Sequence, residues 1–67
     1  MRLLKLNVKE LKKIMIDHDD NVVTLSKKIF ISHVIIYKTF QAKRISASLL
    51  SIIAEHYEID ITKICET

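Results

Sequence analysis

Residues Asn21 to Arg44, NVVTLSKKIFISHVIIYKTFQAKR, decide the fold of this 67-residue chain. Asn21 carries the side-chain oxygen that accepts from the exposed amides at a helix start. Leu25, Ile29 and Ile31 follow at positions that face a core, and Ser26 is small enough to let another helix come close. The chain then turns through Phe30 and Ile31. Ser32 is a good N-cap, so a second helix is expected from about His33 to Phe40. In that helix Ile36 is the core position, while Val34, Ile35, Tyr37 and Lys38 spread around the other faces. The stretch is therefore expected to be a short helix, a tight corner and a second short helix.

Upstream, Asn7 is placed to cap a first helix, with Glu10 three residues on in a pattern like a capping box. Val8, Leu11, Ile14 and Met15 make its apolar face, Lys9, Lys12 and Lys13 line the other, and Asp19, Asp20 and Asn21 form a polar break. Residues 1–6 alternate loosely and are taken as a possible N-terminal arm. Downstream, Gln41 to Ile45 reads as a basic connection. Ser46 caps a fourth helix to about Tyr57, with Leu49, Leu50, Ile53, Ala54 and Tyr57 as its stripe. Asp60 caps a last helical turn carrying Ile61, Ile64 and Cys65. Helices this short are unstable alone in water and depend on mutual burial.

Bulk composition narrows the classes further. A chain of this length forms one domain, residues 1–67, and is marginal unless its core is dense; a hydrophobic content of 49% supplies that density. Gly and Pro are both absent, which disfavours hairpins and sandwiches. The single cysteine, Cys65, forms no internal disulfide and has no ligand spacing with His18, His33 or His56, so no metal or other cofactor is expected. No apolar run approaches the ~18 residues that span a membrane. The start of the chain does not resemble a signal peptide, and the lone cysteine makes a reduced protein of the bacterial host cytoplasm the expectation. No paired catalytic groups and no Gly-rich phosphate loop occur, and no enzyme is expected.

Charge is unevenly distributed. Of the eight acids, none lies between residues 21 and 54, a window that holds Lys27, Lys28, Lys38, Lys43 and Arg44. The rest of the chain carries a slight acidic excess. One basic face on such a domain suits a polyanion.

At this point TLSKKIFISHVIIYKTFQAKRISASLLSIIAEHYEIDITKI, residues 24–64, resembles the Cro and lambda-repressor type of helix-turn-helix domain. The matches are the Leu25–Ser26 pair, Ile29, Ile31–Ser32, Ile36, Tyr37–Lys38, Lys43–Arg44, Ile53–Ala54 and Ile59–Asp60–Ile61. The resemblance spans roughly residues 8–65. It implies an all-α, compact five-helix domain. The chain departs from the family where Gly is usual, at Phe30, Ala42 and Glu58. It also departs at Thr39, where an apolar residue is usual, and at Val22, where a backbone-contacting Gln is common.

The resemblance also implies a site. The second helix of such a pair enters the major groove of double-stranded DNA. By position, Ser32, His33, Val34, Tyr37, Lys38 and Gln41 would face the duplex. Lys38 would donate to guanine, Gln41 pair with adenine, and Val34 pack on a thymine methyl. Lys28, Lys43 and Arg44 would hold phosphates. The implied function is a small sequence-specific transcriptional regulator of a phage or mobile element, acting at an operator and binding two half-sites where it forms a homodimer. The alternative is an antirepressor that uses the same surface to bind a partner repressor protein. For that role Val22, Phe30, Val34 and Ile35, with Phe30 or Phe40 beside the pair, would form an apolar patch.

Overall fold

The computed structural model describes residues 3–66; Met1, Arg2 and Thr67 lie outside the described residues, as does that part of the expected arm. In chain order the elements are β1 (Leu3–Leu6), α1 (Val8–Asp17), α2 (Val22–Ile29), α3 (His33–Ala42), β2 (Arg44–Ser46) and α4 (Ala47–Tyr57). A short 3-10 turn (Ile61–Lys63) and β3 (Cys65–Glu66) complete them.

The helices start where polar side chains cap them. Asn7 Oδ1 accepts from the Glu10 amide at 3.2 Å. At α2 the box is reciprocal: Asn21 Oδ1 accepts from the Thr24 amide at 2.9 Å, and Thr24 Oγ1 accepts from the Asn21 amide at 2.8 Å. Ser32 accepts from the Val34 amide, Ser46 from the Leu49 amide and Asp60 from the Thr62 amide. Each cap satisfies an amide that the helix itself leaves without a partner.

The expected all-α, five-helix domain is corrected. Among the described residues there are four α-helices and a three-stranded antiparallel sheet in the order β2-β1-β3. Residues 3–6 are not an arm but the central strand. Leu3 pairs with Ser46, Leu4 with Ile45 and Lys5 with Arg44 on one side; Lys5 pairs with Glu66 and Leu6 with Cys65 on the other. The basic connection contributes β2, and the expected fifth helix is one 3-10 turn followed by β3. Lack of Gly and Pro argues against hairpins, and among the described residues no two consecutive strands are joined by a hairpin. Three helices join β1 to β2, and α4 with the 3-10 turn joins β2 to β3, so no hairpin turn is required.

The core is one cluster under both layers. Leu6 and Ile45 come from the sheet, Leu11 and Met15 from α1, Leu25 from α2, and Ile36 and Phe40 from α3. Leu49, Leu50, Ile53 and Tyr57 of α4 and Ile64 close it. Ile36 is fully buried, as its spacing predicts. Phe40 is buried rather than part of an outer patch, because it lies four residues after Ile36 on the same face of α3. Ser26 is buried where α2 meets its neighbours, with its hydroxyl donating to the Val23 carbonyl at 2.7 Å.

Among the described residues, Asp19, Phe30, Lys43 and Glu58 take the left-handed backbone. Phe30 and Glu58 fall where Gly is expected; the third position is Lys43, one residue later than Ala42, because α3 extends through Ala42. A side chain in this region costs of order 1 kcal/mol, which glycine avoids while losing more backbone entropy on folding. Phe30→Gly is therefore expected to raise stability by about 0.5–1 kcal/mol and the thermal midpoint by a few degrees, read by circular dichroism. A fall in the midpoint would show that the Phe30 ring supports the fold.

Candidate nucleic-acid interface

Helix α3 has two faces of different character. Ile36 and Phe40, four apart, lie on the buried side. With 3.6 residues per turn, the side directly opposite is centred on Lys38 and flanked by Val34, Gln41 and Ala42. His33 and Tyr37 lie on one shoulder of that face and Ile35 on the other. All of these residues are exposed, and the His33 and Tyr37 rings stand edge to face with centroids 6.2 Å apart. Ser32 holds the N-terminus of the helix and is itself exposed. Thr39 Oγ1 donates to the Ile35 carbonyl at 2.9 Å, which satisfies the hydroxyl at a half-buried position within the helix.

Lys43 and Arg44 follow directly. Lys43 occupies the left-handed C-cap of α3, and its carbonyl accepts from the Leu6 amide at 2.9 Å, tying the end of the helix to β1. Arg44 begins β2, opposite Lys5. Both side chains are exposed, and neither forms an ion pair among the described residues.

Lys28 is placed differently from a free phosphate ligand. Its Nζ lies 2.7 Å from Oδ1 of Asp20, whose side chain is only 1% exposed. Asp20 also accepts from Thr24 Oγ1 at 3.0 Å and from the Tyr57 hydroxyl at 2.9 Å, and His56 Nε2 stands 4.0 Å away. The hydrogen bond from Lys28 holds the Asp20 carboxyl below the usual carboxylate range against the opposing effect of its burial. Burial, then the bond to Asp20, push the Tyr57 hydroxyl well above the usual tyrosine range. This cluster joins the end of α1 to α2 and α4. In sequence Asp20 looks like part of a solvated break. The signal for its role is Tyr57: a hydroxyl on a buried stripe needs a partner.

The residues of the expected apolar patch separate. Val22 is half-buried against the core beside Met15 and Phe40, so it is not part of an outer surface with the others. Phe30 is 94% exposed, and Val34 and Ile35 are 47% and 51% exposed.

Two further cations belong to the neighbourhood. Lys5 and Lys9 line the same cleft as Lys43. No local pattern marks them, because β1 reaches this place only through pairing across three intervening helices. Among the described residues there is no cluster of three His, Cys, Asp or Glu able to hold a metal ion, and no helix long and apolar enough to cross a membrane. Comparison of the chain with protein-family models, with curated proteins and with solved structures gives no match.

Proposed function

We propose that the chain is a small DNA-binding transcriptional regulator whose α3 enters the major groove, in the manner of the Cro and lambda-repressor type it resembles. The observation that carries this reading is the exposed face of α3. It presents Lys38 and Gln41 beside Val34, ends in Lys43 and Arg44, and lies in a stretch of the chain without a single acid between residues 21 and 54. Lys38 and Gln41 supply hydrogen bonds to base edges, Val34 supplies apolar contact for a thymine methyl, and Lys43 with Arg44 supplies phosphate contacts. Lys28, committed to Asp20, contributes little beyond the local field. Two copies on adjacent half-sites fit the usual use of such a helix.

The test is fluorescence anisotropy with duplexes taken from the DNA flanking the gene, against scrambled controls. Sequence-dependent binding is expected, and Lys38→Ala is expected to weaken the preferred duplex by about 1–3 kcal/mol while changing the scrambled ones less. Absence of binding at low salt would refute the proposal.

A second reading has one observation in its favour. Phe30, Val34 and Ile35 are each exposed close in sequence around the turn into α3, and Phe30 stands on a strained backbone. Such a surface fits a partner repressor protein bound by an antirepressor. In that case Val34→Asp or Ile35→Asp would break the complex with the repressor encoded nearby, and DNA affinity would be absent in the unmodified chain.

A further inference from the structure

The β1–β2 ladder places Lys5 directly opposite Arg44. Residues so paired share a face of the sheet, and like charges there repel. Lys43, bonded through its carbonyl to Leu6, and Lys9 of α1 stand at the same end of the sheet. Lys5, Lys9 and Lys43 line one open cleft of about 290 Å³, with Asn7 in its wall and Glu66 as its only acid. Glu66 lies 3.5 Å from Lys5, but both side chains are well exposed, so the pair neutralises little. Lys9, Lys43 and Arg44 have no ion-pair partner among the described residues. Three elements thus bring four cations together with one weakly paired acid, a concentration of like charge that favours bound anions.

We propose that this cleft is a second phosphate-binding locus, which takes a phosphodiester of the same duplex whose groove α3 enters. The inference rests on the DNA reading above and extends it from the helix to the sheet. It assigns binding roles to Lys5 and Lys9, and it makes β1 part of the interface. A phosphate seated beside Lys5, Lys9 and Lys43 screens the repulsion between Lys5 and Arg44 and fixes the angle at which α3 enters the groove. Glu66 opposes binding in the same cleft.

The experiment measures affinity for a fixed duplex over a series of salt concentrations. Lys5→Gln with Lys9→Gln is compared with a control of equal charge change, Lys12→Gln with Lys63→Gln. The first pair is expected to reduce the slope of log K against log salt by about 2, and affinity roughly 10- to 30-fold near 0.15 M salt, on preferred and scrambled DNA alike. The control pair is expected to change the slope by less than one. Glu66→Gln is expected to strengthen binding more than Glu55→Gln does. Circular dichroism confirms that each variant folds. Equal effects of the two lysine pairs, or an unchanged slope for Lys5 and Lys9, would overturn the inference while leaving the DNA reading intact if the unmodified chain binds. If the unmodified chain binds no DNA, both fall.

Discussion

Asp20→Ala is expected to remove much of the stability of the domain. The Asp20 side chain is 1% exposed and accepts from Lys28, Thr24 and Tyr57. Its removal leaves the Tyr57 hydroxyl buried without a partner, which costs about 1–3 kcal/mol. Breaking the ion pair adds to this. Lys28 is half-exposed and turns to water, so the full penalty of a buried pair does not apply. The expected loss is roughly 2–4 kcal/mol, from a domain whose size implies a total of only about 3–10 kcal/mol. A urea titration followed by circular dichroism reads it; a midpoint within error of the unmodified chain would contradict the role given to Asp20.

The same group sets a pH dependence. Its carboxyl is held below its ordinary value of 3.8 in the folded chain, chiefly by the bond from Lys28. A carboxyl depressed by folding stabilises fully above its unfolded pKa, and that contribution drains away as pH falls through the folded one. The unmodified chain should therefore lose stability below about pH 4 more steeply than Asp20→Asn. Asp60 is held low as well, by the Thr62 amide and hydroxyl, so a residual slope remains in the variant. Parallel acid limbs in the two proteins would count against the assignment.

Reversing two charges, Lys43→Glu with Arg44→Glu, is expected to abolish DNA binding at physiological salt and leave the chain folded. Two phosphate contacts are lost, and two negative charges then face the duplex. Removal of the contacts alone lowers affinity by roughly 10- to 30-fold, and repulsion adds to it. The fold should tolerate the change, because a carboxylate opposite Lys5 replaces a like-charge pair with an opposite one. Retained affinity in a folded variant would place the interface elsewhere.

The helices were legible because each announces itself twice. A capping side chain starts it, at Asn7, Asn21, Ser32 or Ser46, and apolar residues at helical spacing continue it. The exposed face of α3 follows from the same spacing once Ile36 is set inward. The sheet was not legible, since strands of two to four residues are too short to show an alternating pattern. Their pairing is also non-local: Lys5 meets Arg44 across three helices. Everything that depends on that pairing, including the basic cleft, was hidden with it. Asp20 was hidden for a related reason. Its partners Lys28 and Tyr57 lie eight and 37 positions away and converge only when α1, α2 and α4 pack. Lys28, which in sequence looks like a free basic residue, is drawn into that convergence.

The proposed DNA-binding surface can be mapped directly by following backbone amide signals in an NMR titration with a short duplex. The predicted result is a set of salt-sensitive shifts confined to Ser32–Arg44 and to Lys5–Lys9, with the rest of α1 from Lys12 onward and the outer face of α4 unchanged. Shifts centred on α4, or no shifts at low salt, would contradict the claim that α3 and its basic end form a nucleic-acid interface.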